Sequence, residues 1–315
     1  MTNTMYTGII IYGAGSRGKG CYDFLKRYKK ENLVLAFCDK EYEKIKNVED
    51  KSVLSFDEAC KYNLPFLISL VDISAKEDLK YKIESAGQKL INLDDLSEII
   101  GLDRVAFNRE FCAFFHEDGM NQYFYAAEQK SNMDVFWGEN SLFLKQFNKL
   151  DLTNVIELAC GRGRHVTRYL NLAEKITLVD ILKQNIEICK ERFKDSDKIT
   201  YYCNNGYNLE KLEENQYTAL FCYDAMVHFE MMDIYEYLKD IYRVLAPGGM
   251  ALIHHSNNTS DYMASFANAP QGRSFMSKDI FAYLAFRCGF KIISQEEIDW
   301  GVKNLDCISL IAKIG

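Results

Sequence analysis

The sequence predicts an α/β protein of two units, each built on a twisted parallel sheet. Three observations carry the prediction. A short apolar strand that runs into a glycine turn, a helix, a second strand and an acid occurs twice, at residues 7–39 and again at 154–180. Elsewhere, apolar runs of strand length alternate with segments whose apolar residues recur at helical spacing. The 315 residues are 48% apolar, and a working size of about 150 residues per domain gives two cores.

In the first run, Thr7 to Tyr12 (TGIIIY) reads as a buried strand that leads into Gly13-Ala14-Gly15-Ser16-Arg17-Gly18, a full GxGxxG. Phe24, Leu25 and Tyr28 follow at helical spacing, Leu33 to Cys38 forms the next strand, and Asp39 closes it about 20 residues beyond the turn, as a dinucleotide fingerprint requires. Further strands at Phe66 to Val71 and Lys89 to Leu93, with helices near Phe56 to Tyr62 and Lys76 to Ser85, complete a small Rossmann-like unit over residues 1–103. Gly13, Gly15, Gly18 and Asp39 are candidates for a nucleotide site. The same residues equally suit a unit that only docks or dimerises, and in the dimerising case the protein would be a homo-oligomer. A dehydrogenase would need a second catalytic domain of matching type, and none follows.

Residues 104–150 read as a helical, aromatic bridge or lid, with Tyr123, Tyr125 and Trp137 placed to shield a cofactor from water. The second unit is expected over 151–315. Val155, Ile156 and Leu158 form its first strand, and Glu157-Leu158-Ala159-Cys160-Gly161-Arg162-Gly163 makes the turn. Val166, Tyr169 and Leu170 mark the helix, and Ile176, Leu178 and Val179 deliver Asp180. This turn lacks a third glycine and carries an acid inside the strand end. A carboxylate there suits a cofactor bearing an ammonium and a sulfonium, and is a poor neighbour for phosphate.

Glu157 to Gly163 resembles motif I of class I S-adenosylmethionine-dependent methyltransferases, and Arg243-Val244-Leu245-Ala246-Pro247-Gly248-Gly249 ahead of a strand resembles the corresponding later turn. The resemblance implies a seven-stranded sheet whose last strand runs antiparallel, and S-adenosyl-L-methionine as cofactor. It implies that Glu157, Ala159, Gly161 and Gly163 seat the methionine part and Asp180 the ribose. Asn205 and Gly206 would take the adenine, and Tyr223 would complete the pocket. Asn204-Asn205-Gly206 departs from the family at this point, because an amide stands where an acid is usual.

The chain has five histidines, and His228, His254 and His255 fall just after two adjacent predicted strands, on the edge where ligands collect in an open α/β sheet. Imidazole suits removal of a proton from an acceptor hydroxyl as the methyl group arrives. These three are the catalytic candidates. No HxxxH or acid cluster of diagnostic spacing points to a metal. Arg273, in the polar loop after Asn257, is a candidate partner for a phosphate or carboxylate on the substrate.

A net charge of −7 provides no basic field for polymeric nucleic acid. The apolar runs are too short to span a membrane, and the N-terminus lacks a signal-type pattern. Ten scattered cysteines without a CxxC pair argue for reduced thiols, and the expected location is the cytoplasm. The His254-His255-Ser256-Asn257 segment together with the N-terminal unit resembles enzymes that methylate sugars of bacterial surface polysaccharides. That makes a sugar or sugar nucleotide the expected acceptor. A small non-sugar metabolite, or a non-catalytic binder of the cofactor, are the alternatives.

Overall fold

The computed structural model describes residues 6–70, 73–117 and 121–315. The chain divides between Phe114 and Phe115 into two compact units.

In the first unit, β1 (Ile9–Tyr12), β2 (Val34–Cys38), β4 (Lys51–Leu54), β5 (Phe66–Ile68) and β6 (Leu90–Ile91) form a parallel sheet in the order β4-β2-β1-β5-β6. Val71, the expected end of the β5 segment, lies outside the described residues. A short hairpin adds β3 (Asn47–Val48) antiparallel to β4, an element with no sequence signal. Its turn residue Glu49 takes φ +53°, where glycine or asparagine is the usual cue. Helices α1 (Ser16–Arg27), α2 (Phe56–Cys60), α3 (Ile73–Ser85), α4 (Leu96–Ile100) and α5 (Arg104–Phe115) complete this unit, α2 opening on a reciprocal cap between Ser55 and Glu58. Phe24 of α1 packs edge-on against Phe107, Phe111 and Phe114 at centroid distances of 5.7, 5.1 and 5.4 Å. The first part of the aromatic segment therefore belongs to the core of the first unit.

The second unit begins with α6 (Asn121–Ala127), α7 (Lys130–Trp137) and α8 (Leu142–Phe147). Its sheet comprises β7 (Asn154–Leu158), β8 (Lys175–Asp180), β9 (Ile199–Cys203), β10 (Tyr217–Cys222), β11 (Leu245–Ser256), β12 (Phe290–Ile298) and β13 (Asp306–Lys313). The seven strands lie in the order β12-β13-β11-β10-β7-β8-β9, with β13 antiparallel to both its neighbours. The expected seven-stranded sheet and its reversed last strand are both present.

Period-two alternation sorts this core onto two faces. Val155, Phe221 and Leu252 point toward α9 (Val166–Tyr169), α10 (Lys183–Arg192) and the rings of Phe136, Phe143 and Phe147. Ile156, Leu220 and Ile253 point toward α11 (Met231–Val244) and α12 (Lys278–Arg287). On α11, Ile234, Tyr237, Leu238, Ile241 and Val244 make one buried stripe, as helical spacing requires. Among the described residues no helix is long and apolar enough to cross a membrane.

Candidate active site

β7 and β10 are neighbours whose onward connections lead to opposite sides of the sheet, so a crevice opens at their carboxyl ends. The turn after β7 fills that position. Ala159, Gly161 and Gly163 all take left-handed conformations, at φ +57°, +55° and +75°. Gly163 is required twice over, since a Cβ there would stand 2.5 Å from Cε2 of Phe193. The Gly161 amide donates to Asp180 Oδ2 at 2.8 Å, while Asp180 Oδ1 accepts from the Leu182 amide and Asn185 Nδ2. Burial pushes Asp180 up to about 6 in spite of these three donors. Asp180 thus shapes the turn.

Glu157 lies beneath this turn, fully enclosed. Its Oε2 accepts from the Tyr169 hydroxyl at 2.6 Å, and its Oε1 has no hydrogen-bond partner. Burial pushes its pKa up to about 8. A desolvated carboxylate with an unspent acceptor fits a cofactor that brings an ammonium group.

In the turn after β9, Asn205 Oδ1 accepts from the amides of Tyr207 and Asn208, and Gly206 turns the chain at φ +84°. The Asn205 acceptor is therefore spent on its own turn, which leaves its amide nitrogen for a base. Tyr223 packs among Phe136, Phe143 and His254 at 4.7, 4.4 and 4.5 Å and belongs to the aromatic core.

Of the three expected shielding rings, Tyr123 alone faces the crevice, donating to Asp224 Oδ2 at 3.2 Å. Trp137 is packed between Phe143 and Phe147 and donates to His165 Nδ1, and Tyr125 points to solvent. Phe124, which the sequence did not single out, lies against Gly161 with the Arg162 guanidinium 4.2 Å from its ring.

The three histidines part company. His255 is a correction: it points away from the crevice, stacked 4.0 Å from Phe281, with Nδ1 bonded to the Ser256 carbonyl and Nε2 to Ser309 Oγ. One residue along a strand reverses the side-chain direction, and His255 falls on the helix-covered face.

His254 is turned toward Asp224, and both its nitrogens are engaged. Nδ1 accepts from the Asp224 amide at 3.1 Å, so Nε2 carries the proton and donates to Asp306 Oδ2, also at 3.1 Å. It positions Asp224 and takes no proton from a substrate. His228 is half-buried in the turn after β10. Its Nδ1 meets the Gly272 carbonyl at 2.9 Å, which places the proton there and the lone pair on Nε2. Burial, then the neighbouring His116 and Arg273, hold its pKa down to about 3, so the ring is neutral across the working range.

Sequence reasoning missed the charged frame around these rings. Asp224 sits at φ +56° and receives Arg164 Nη2 at 2.8 Å. Burial raises the pKa of Asp224, but the Arg164 guanidinium more than offsets it and holds the carboxyl below its ordinary value. Asp306, fully buried at the head of β13, accepts from Arg273 Nε at 3.0 Å and Nη2 at 2.7 Å. Arg273 is therefore spent inside the protein and does not reach for a substrate anion. The one available signal was an acid opening a largely apolar strand.

In the first unit, Gly18 is needed for packing, since a Cβ would lie 1.8 Å from the Gly13 carbonyl oxygen. Asp39 accepts from the amides of Ala14 at 2.8 Å and Glu41 at 2.9 Å, so both its oxygens brace the loop. Gly15, by contrast, has nothing within 4 Å of where its Cβ would stand.

Residues 155–249 match the model of a methyltransferase-domain family. They are a methyltransferase domain. S-adenosylmethionine is its cofactor. The chain is also similar to a ubiquinone biosynthesis O-methyltransferase of Rickettsia typhi, at 24% identity over 115 residues, which are 36% of this chain and 45% of that protein. The chain thus spans under half the length of that relative. Among solved structures, it resembles an S-adenosylmethionine-dependent methyltransferase from Clostridium acetobutylicum (14% identity, 63% of this chain, 100% of that one, TM-score 0.48). Another is a similarly described protein from Listeria monocytogenes (14% identity, 55% and 98% coverage, TM-score 0.46). The methyltransferase domain holds every crevice residue described above except those of α6 and the segment from His254 to Asp306.

Proposed function

We propose that the protein is an O-methyltransferase whose acceptor is a hydroxyl of a sugar or sugar nucleotide. The observation that carries the transferase reading is the glycine turn over an unsatisfied, buried Glu157. In this reading Glu157, Gly161 and Gly163 seat the methionine part, Asp180 takes the ribose and Asn205 the adenine. The cofactor supplies an electrophilic methyl group, and Tyr123 and Phe124 keep water from it.

His228 receives the acceptor proton at Nε2. The hydroxyl proton becomes strongly acidic as its oxygen gains a third bond, to the methyl group leaving the sulfonium, so even a weakly basic neutral imidazole takes that proton late in the transfer. Alignment supplies most of the acceleration. The sugar assignment draws on the His254 to Asn257 segment and on the glycine turn of the first unit, where Gly13, Gly15, Gly18 and Asp39 would hold a nucleotide. A small non-sugar acceptor is the second reading, favoured by the likeness to the ubiquinone-pathway enzyme.

The test is turnover on nucleotide sugars and on phenolic metabolites in parallel. With the accepted substrate, His228→Ala is expected to lower kcat by about 10²- to 10⁴-fold with cofactor affinity unchanged, and His255→Asn to leave the pH profile unaltered. Equal losses in kcat from both variants would remove His228 as the base.

A further inference from the structure

A cavity of about 310 Å³ opens in the second unit, lined by Glu128, Met133, Arg164, Thr167, Arg168 and Arg192. Three guanidinium groups meet one lining carboxylate, in a chain whose formal charge is −7. Arg192 holds Glu128 in a two-pronged pair, with Nη1 to Oε1 at 2.7 Å and Nη2 to Oε2 at 3.1 Å, and also donates to the Arg162 carbonyl at 2.9 Å. Arg164 is pinned from behind by Asp224. The Arg168 side chain is exposed and makes no hydrogen bond or ion pair among the described residues. Thr167 adds a hydroxyl.

We infer that this cavity is an oxyanion site for a phosphoryl or diphosphoryl group. Fork-shaped donors converging from two helices suit a multiply charged tetrahedral anion, and guanidinium is the side chain best matched to it. The volume lies at the lower end of the range for small-ligand sites, roughly 300–1,000 Å³, enough for a diphosphate and not for a whole cofactor. Glu128 stands in the fork of Arg192 as an internal anion that the ligand would displace. Arg164 couples the cavity to the crevice, since its far side holds Asp224 at the end of β10. The acceptor class this favours is one carrying a phosphoryl group, such as a nucleotide sugar; that last step rests on the proposed transferase reading, whereas the anion site does not.

Calorimetric titration of the full chain with orthophosphate, pyrophosphate, UDP and uridine tests it. Pyrophosphate is expected to bind, uridine not. Arg168→Gln and Arg192→Gln each weaken pyrophosphate about tenfold, and Glu128→Gln tightens it several-fold by freeing the Arg192 fork. The sign of the Glu128 effect separates an anion site from a merely structural ion pair.

Binding of UDP beside pyrophosphate identifies a nucleotide-borne phosphoryl group, and binding of the inorganic anions alone identifies a free one. No heat with pyrophosphate at millimolar concentration, or weaker binding in Glu128→Gln, overturns the inference. So does loss of pyrophosphate binding when S-adenosylhomocysteine saturates the protein, because the cavity would then belong to the cofactor. Titrating S-adenosylhomocysteine in the same samples reports on the transferase reading separately.

Discussion

Asp306→Ala is expected to destabilise the second unit by about 3–5 kcal/mol, because it strands the buried guanidinium of Arg273 without its counter-charge. Arg273 is 3% exposed and Asp306 0%, so neither charge has water to fall back on. The same change removes the acceptor that fixes the His254 tautomer, and with it the hold on the Asp224 amide. In thermal unfolding followed by circular dichroism the loss should appear as a fall of roughly 6–20 °C in Tm, taking about 2–4 °C per kcal/mol for a unit of this size. Asp306→Asn, which keeps the shape and one acceptor, should lose less.

The pH dependence has a definite sign. Burial alone would raise Asp306, but the hydrogen bonds from His254 and Arg273 hold it below its ordinary value. Its stabilisation is therefore present above the unfolded carboxyl value and disappears as pH falls through the lower folded value. The Asp306→Ala protein should lose that part of its acid sensitivity. A change of under about 1 kcal/mol in Asp306→Ala, the level of an exposed ion pair, would show that the pair is not buried as described.

Gly163→Ala is the second large effect. The left-handed conformation at φ +75° costs an L-residue roughly 1–2 kcal/mol. Contact with Phe193 at 2.5 Å adds an overpacking cost of about 1–3 kcal/mol unless the turn moves. Either outcome displaces the Gly161 to Gly163 backbone from the crevice, so cofactor binding should fall below detection while the rest of the sheet stays folded. Gly248→Ala provides the control. It has a similar φ of +81° but nothing within 4 Å of its Cβ position, so it bears the conformational cost alone and should keep the cofactor. Equal stability and equal cofactor affinity in the two variants would contradict the assigned role of the turn.

The fold was largely legible in the sequence because two kinds of signal agreed along the chain. Strand runs such as Ile176 to Val179 end in residues that only a crevice edge favours, and glycine turns follow strands at the spacing that helix packing demands. The β3–β4 hairpin was invisible since Glu49 adopts its turn conformation without glycine.

The candidate site was legible only in part. Glu157, Gly161, Gly163 and Asp180 are consecutive with recognisable strand ends, so their place follows from local pattern. His254 and His255 differ by one residue and therefore by one face of the sheet, and only knowledge of the exact register tells which ring meets the crevice. Asp306 lies 52 residues from His254 and 33 from Arg273. No local pattern announces a pairing that an antiparallel last strand creates.

The central claim is that the turn after β7 binds an S-adenosyl compound above Glu157. Calorimetric titration of the full chain with S-adenosylhomocysteine at pH 6, 7 and 8 addresses it directly. Glu157, raised to about 8 by burial, is mostly protonated at the lower pH, and an ammonium-bearing ligand pairs with its charged form. The account predicts one site per chain, affinity that rises with pH over this window, and a flattened dependence in Glu157→Gln. No binding at any of the three pH values, or binding that Gly163→Ala leaves untouched, would contradict it.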